Sequence, residues 1–123
     1  KRQIKSHMSK NEIDKEIEIS EILVVCSVNM KDCNDIIPGK FFHYLSSGKK
    51  ILGISNEGSD LENIITETQS GKSFGYDNYH DLKNYIYESF KIYSEGKSIK
   101  RKPIPKYMSS NIAKRIEKII LTL

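Results

Sequence analysis

Residues 36–54 read IIPGKFFHYLSSGKKILGI and predict a loop, a short amphipathic helix and a buried strand, in that order. Pro38 suits the first turn of a helix, where a missing backbone N–H group costs nothing. Apolar and aromatic residues then recur at the spacing of one helix face: Phe41, Phe42, Tyr44 and Leu45. Gly48 is expected to end the helix in a left-handed conformation, and residues 51–54 follow as an apolar strand.

The segment upstream of this stretch adds another helix and another strand. Ser9 and Glu12 have the spacing of a capping box, which predicts the start of a helix. Residues 21–28, EILVVCSV, form the clearest strand, and their unbroken apolar run is typical of a parallel strand covered on both faces. Residues 3–7 are predicted as a short leading strand.

The downstream segment continues the alternation of helix and strand. Ser59 and Glu62 form a second capping box before a third helix, and residues 72–76 form a short strand. Asp77 or Asn78 then caps a long helix whose inward residues are predicted to be Leu82, Tyr85, Ile86, Phe90 and Tyr93. A last helix begins at a cap of Ser109 or Ser110 and has an apolar face of Ile112, Ile116, Ile119 and Ile120. The pattern predicts an α/β fold, a Rossmann-like parallel sheet with helices on both faces.

Composition fits one domain, because 123 residues leave little room for a second core. We expect residues 1–96 to form the domain, in part or whole, and residues 97–123 to form a basic linker and a helix that packs back on it. The net charge is +4. Cationic segments at residues 1–5 and 97–102 suggest a membrane surface or a solvated linker, whereas aromatic side chains do not interleave with the charges as in nucleic-acid binders. Nucleic acid is therefore not an expected partner.

The two cysteines, Cys26 and Cys33, lack a histidine or a second cysteine at zinc-ligand spacing. We therefore expect reduced thiols, no metal site and a cytoplasmic protein. In parallel sheets, ligands bind at the carboxyl ends of the strands. The loops that follow the predicted strands are residues 28–38, 55–59 and 77–79. Gly39, directly after the first loop, and Gly58, in the second, permit close approach of a ligand to the backbone.

Three segments in the right order carry a family resemblance: PGKFFHYLSSGKKILGI, SNEGSDLENIITETQSGKSF and YDNYHDLKNYI. Together with the strand before them, they resemble the C-terminal domain of retaining, nucleotide-sugar-dependent glycosyltransferases of the GT-B architecture, the glycosyl transferases group 1 family. The resemblance covers residues 13–93. It implies a UDP- or GDP-sugar donor, no metal and transfer with retained configuration, to a polysaccharide or lipid-linked acceptor in bacterial surface or capsule synthesis.

The resemblance also implies site residues for the donor: Pro38, Gly39, Lys40, His43, Gly58 and Ser59. Lys40 would meet the donor phosphate. His43 departs from the family pattern, which usually has a glutamate that accepts both ribose hydroxyls, a task that one imidazole cannot perform. No residue is assigned a catalytic role.

Two functions remain open from the sequence. The first is the donor-binding part of a glycosyltransferase, which would need an N-terminal acceptor domain or a partner chain and could be peripheral to the inner membrane. The alternative is a non-catalytic binding or interaction module on the same scaffold, which His43 favours. A receiver-like signalling domain fits less well, because ILVVCSVNMKD has no aspartate at the strand end.

Overall fold

The computed structural model describes residues 3–97 and 109–122. Its elements in chain order are α1 (Lys10–Ile19), β1 (Ile22–Cys26), α2 (Lys40–Ser46), β2 (Lys50–Ile54), α3 (Asp60–Glu67), β3 (Gly71–Phe74), α4 (Tyr79–Ser94) and α5 (Ser109–Leu121). Residues 98–108, which include most of the predicted basic linker, and the predicted capping side chains of Ser109 and Ser110 lie outside the described residues.

The strands form an open three-stranded parallel sheet in the order β1-β2-β3. Val25 of β1 is paired with Gly53 of β2, and Gly53 with Ser73 of β3. Helices connect the successive parallel strands, as a crossover connection requires. The predicted α/β class is confirmed, with a small parallel sheet.

One face of the sheet packs against α2 and α3 and forms the core. Its fully buried side chains are Val25, Phe41, Leu45, Ile51, Leu61 and Ile65. The helix face predicted from residues 41–45 is confirmed, because Phe41 and Leu45 are 0% exposed. Gly48 follows α2 with φ of 76°, the left-handed conformation that was predicted to end this helix.

The opposite face of the sheet is covered only in part, by α4. Phe74 lies on this face, and its ring centroid is 5.4 Å from that of Tyr85 in α4. Val24 of β1 is on the same face but is 47% exposed, and Cys26 is also exposed. The prediction that β1 is covered on both faces is therefore wrong. A continuous apolar run cannot tell a covered strand from one that shows half of its side chains to solvent.

The inward face predicted for α4 is only partly correct. Leu82 and Tyr85 are half-buried, as predicted, whereas Ile86, Phe90 and Tyr93 are exposed. The buried positions of α4 include Ser89 instead. The apolar side chains of this helix are spread over a wider part of its circumference than the narrow sheet can cover.

The first described residues do not form the predicted leading strand. Residues 3–7 are irregular and exposed, and Ile4 is 81% exposed. Ile4 is the one apolar side chain among them, so that the segment has no apolar face to bury in a sheet. Within residues 3–97 and 109–122, β1 is therefore an edge strand.

The side chains of residues 113–122 in and after α5 are exposed. The division into residues 1–96 and 97–123, with the last helix packed on the domain, stays a prediction. Among the helices of the described residues, none has both the length and the apolar character needed to cross a membrane.

Candidate functional site

The loops that follow β1 and β2 are joined by hydrogen bonds at the carboxyl edge of the sheet. The Asn56 side-chain amide lies 3.1 Å from Asn34 Oδ1, to which it donates, and 3.4 Å from the carbonyl oxygen of Met30. The backbone N–H of Asp60 donates to the Asn34 carbonyl oxygen at 2.9 Å. These bonds hold the start of α3 against the loop that leads to α2.

The loop after β3 is joined to the end of β1 by Tyr76. Its hydroxyl donates a hydrogen bond to the carbonyl oxygen of Ser27. Burial, and then the neighbouring Cys26 thiol, raise the pKa of Tyr76 above its ordinary value, so that the phenol remains a donor at neutral pH. All three strand-end loops that the sequence pointed to are thus connected at one edge of the sheet.

A polar cleft of about 720 Å³ opens at this edge. Its lining is mostly carboxylates, amides and short polar groups: Asn29, Asn56, Glu57, Glu62, Ser73, Phe74, Gly75, Tyr76, Asp77 and Asn78. Carboxylates accept hydrogen bonds and amides both donate and accept them, and these are the groups that recognise sugar or ribose hydroxyls. Lysine and arginine are not among these lining residues. In the described part of the chain no three acidic, His or Cys side chains converge closely enough to hold a metal ion.

Gly58 and Ser59 lie at the start of α3, as predicted, but their polar groups are already bonded. The Gly58 N–H donates to Glu62 Oε2 at 2.9 Å. Ser59 is 1% exposed, and its hydroxyl accepts from the Glu62 N–H at 3.3 Å and donates to Ser55 Oγ at 2.9 Å. One bond of the predicted capping box is confirmed, that from the Glu62 N–H to the Ser59 hydroxyl. The Glu62 carboxylate, however, accepts from the Gly58 N–H and not from that of Ser59. A phosphate here would have to displace a carboxylate.

Pro38, Gly39 and Lys40 lie at the start of α2. Lys40 is the first helical residue, Gly39 is the N-cap with φ of −57°, and Pro38 precedes it, so the placement of Pro38 in the first helical turn is wrong. The Pro38 carbonyl oxygen accepts a hydrogen bond from the Phe41 N–H at 3.0 Å. The fixed φ of proline therefore shapes the turn that enters α2. Gly39 and Lys40 are exposed.

His43 lies on the side of α2 that faces α1. Its Nε2 is 2.9 Å from Asp14 Oδ1, and both side chains are nearly half exposed. His43 and Lys40 line a separate groove of about 660 Å³ between the two helices, whose other walls are largely apolar, with Ile17 and Leu23 among them. The structure therefore separates the predicted site: Lys40 and His43 line this groove, whereas the start of α3 adjoins the polar cleft.

Several residues of the cleft were not predicted as site residues from the sequence, notably Asn56, Glu57 and Asp77, the last of which was considered only as a helix cap. Each follows a strand by only a few residues, in a loop that the sequence did indicate. Their signal was a polar side chain directly after a strand, which is common in turns and becomes specific only when the neighbouring loop is known.

Comparison of the chain with models of protein families, with curated proteins and with solved structures found no match. The candidate function therefore depends on the geometry of the site and on the resemblance in the sequence.

Proposed function

We propose that the chain is the nucleotide-sugar-binding part of a GT-B glycosyltransferase, with a Rossmann-like sheet, and that the hydroxyl-bearing part of the donor occupies the polar cleft. The observation that carries this proposal is the position of the cleft at the carboxyl edge of a parallel sheet, between the loops after β2 and β3. Open α/β sheets bind their ligands at this edge.

The size and chemistry of the cleft support a sugar or ribose as the occupant. Its volume of about 720 Å³ is within the usual range for small-ligand sites. Glu57, Glu62 and Asp77 supply acceptors for hydroxyl groups, and Asn56 and Asn78 supply amides. Such a wall is a poor neighbour for a phosphate, because like charges repel in a partly dry site.

The resemblance gives the diphosphate of the donor to Lys40, which lines the separate groove at the start of α2 and not the cleft, so the donor would have to extend from the cleft to that helix start. The lysine charge would stabilise the leaving diphosphate as the glycosidic bond breaks, which is electrostatic stabilisation of the departing group. An N-terminal acceptor domain or a partner chain would supply the acceptor and close the site. The isolated chain is expected to bind a donor without transferring its sugar.

The test is a calorimetric titration of the purified chain with UDP, GDP and their sugar conjugates, with and without magnesium. Asp77→Asn is expected to weaken binding of the sugar conjugate by about tenfold, the effect of one lost charged hydrogen bond. Lys40→Ala is expected to weaken both the nucleotide and its conjugate. Lys83→Ala, an exposed lysine of α4, is the matched control and should bind as the wild type. A folded protein that binds no nucleotide, or variants that bind alike, would contradict the proposal.

A second candidate is a non-catalytic interaction module on the same scaffold. The pairing of His43 with Asp14 favours this module. The contact directs the imidazole toward α1, whereas recognition of a nucleotide ribose would need a carboxylate at this position. The discriminating variant is His43→Glu. If it creates or strengthens nucleotide binding, the donor-site proposal gains. If nucleotide binding is undetectable before and after the change, the module is the better description.

A further inference from the structure

The C-terminal part of the sequence differs sharply in charge from the rest. Residues 97–123 contain eight lysines and arginines and one glutamate, a net charge of +7. Residues 1–96 contain twelve basic and fifteen acidic residues, a net charge of −3. The positive net charge of the chain therefore comes entirely from the segment that includes α5. Charge asymmetry of this kind is typical of a basic tail that meets a polyanionic surface.

The helix α5 combines this charge with an apolar face. Ile116, Ile119 and Ile120 have the spacing of one helix face and are 52%, 62% and 62% exposed. Other positions around the same turns carry the cations Lys114, Arg115 and Lys118 and one acid, Glu117. Three large isoleucines on one face of an exposed helix leave an apolar surface in water, which favours association with an apolar partner.

We propose that α5 binds an anionic lipid surface, with Ile116, Ile119 and Ile120 inserted among the acyl chains and the cations at the headgroups. A helix that lies in the bilayer interface needs an apolar face and a cationic polar face, and α5 has both. Its thirteen residues would extend about 20 Å, too short for the roughly 30 Å of a hydrocarbon core. The proposal therefore places these thirteen residues in the plane of the bilayer interface.

The combination of the two faces favours a lipid surface over other occupants. A nucleic acid would bind the cations and leave the isoleucines in water, because its phosphates provide no apolar layer. Packing of α5 on the rest of the chain would cover the isoleucines, but the net charge of −3 on residues 1–96 offers the cations far fewer negative groups than an anionic bilayer does. An anionic bilayer meets both at once, since acyl chains accept the isoleucines and acidic headgroups attract the lysines and the arginine.

The experiment is sedimentation of the full chain with vesicles of phosphatidylcholine, alone or mixed with phosphatidylglycerol. We expect binding to the mixed vesicles that weakens as salt is raised and is far weaker to phosphatidylcholine alone. Ile119→Asp should lower the affinity about tenfold or more, since it removes a large apolar side chain from the bilayer. The triple change Lys114→Gln, Arg115→Gln and Lys118→Gln should lower it about a hundredfold, at roughly fivefold for each cation.

The matched control is Ile86→Asp, the same substitution at an exposed isoleucine of α4, which should bind vesicles as the wild type does. Loss of vesicle binding in this control as well would overturn the proposal, as would wild-type binding by Ile119→Asp. A lower melting temperature of Ile119→Asp with unchanged vesicle binding would show that α5 packs on the domain. Binding to single-stranded RNA that is equal in wild type and Ile119→Asp, without vesicle binding, would show that the charge serves a nucleic acid. The vesicle assays contain no UDP, GDP or nucleotide sugar, so their outcome is independent of the proposed donor site.

Discussion

The replacement of Gly71 by alanine tests the packing of β3 on β2. An alanine Cβ at this position would lie 1.7 Å from the carbonyl oxygen of Ile51, 2.6 Å from its carbonyl carbon and 2.8 Å from its nitrogen. Real Cβ atoms essentially never approach other atoms within 3.0 Å, so β3 would have to move by more than 1 Å. All three neighbouring atoms are backbone atoms of the central strand and cannot rotate away.

The cost of this movement has two parts. The Ile51 N–H donates to the Ser70 carbonyl oxygen at 2.9 Å, and loss of this bond would cost about 0.5–1.5 kcal/mol. Forcing an extra methyl group into a packed contact costs about 1–3 kcal/mol. The lower entropy of the unfolded alanine chain offsets about 0.4–1 kcal/mol. We therefore expect Gly71→Ala to lower the free energy of unfolding by about 2–3 kcal/mol.

Urea and thermal denaturation followed by circular dichroism measure this loss. A loss of this size should lower the melting temperature by about 10–20 °C in a domain of roughly this length. Gly75→Ala is the matched control, because it lies just after the same strand, has ordinary φ and has no atom within 4 Å of the added Cβ. It should be neutral or slightly stabilising. If Gly71→Ala unfolds within about 0.5 kcal/mol of the wild type, the pairing of β3 with β2 described above is refuted.

Three further substitutions test other features of the fold. Lys49→Met should lower the free energy of unfolding by about 1.5–3 kcal/mol, because the buried Lys49 ammonium donates to the Glu18 carbonyl oxygen at 2.6 Å. Lys83→Met is the exposed control, and equal stability of the two variants would contradict a role for that hydrogen bond. Ser59→Ala should cost about 1–2 kcal/mol through loss of the α3 cap, measured by urea denaturation, and an unchanged midpoint would count against it. Burial raises the pKa of Tyr85 above its ordinary value of 10.0, so the folded state holds the phenolic proton more tightly and the protein should lose stability as pH rises beyond that value. Tyr85→Phe should lose less stability over the same alkaline range. It should be at least as stable as the wild type at neutral pH, because among the described residues the buried Tyr85 hydroxyl has no hydrogen-bond partner. A steeper loss of stability at alkaline pH in this variant would contradict the role given to the Tyr85 phenol.

The regular elements of the chain could be predicted because their signals are local. The caps at Ser9 and Ser59 depend on residues three positions away, and the left-handed end of α2 depends on Gly48 alone. The alternation of helices with short apolar strands also predicted a parallel sheet. What failed were two statements about how much of an element its neighbours cover. The exposed face of β1 and the exposed Phe90 of α4 are the clearest cases.

The meeting of the three loops at one edge could be predicted from the sequence, whereas the side chains that line the cleft there could not. The sequence indicated the three loops at the carboxyl edge, since the direction of parallel strands brings them together. It did not reveal that Asn56 bonds to Asn34, that Tyr76 reaches Ser27 or that His43 is paired with Asp14, because these partners are 22, 49 and 29 positions apart.

The sequence by itself therefore determined the class of fold, the caps of α1 and α3 and the loops that meet at one edge of the sheet. Tertiary structure alone decided which polar groups remain available at that edge. The Glu62 carboxylate accepts the hydrogen bond of the Gly58 N–H at the start of α3. The polar cleft lies beside it, between loops that are joined by hydrogen bonds. The physical reason is range: propensity, capping and periodicity act within one or two turns of chain, whereas burial and hydrogen bonding between loops depend on the packing of the whole sheet.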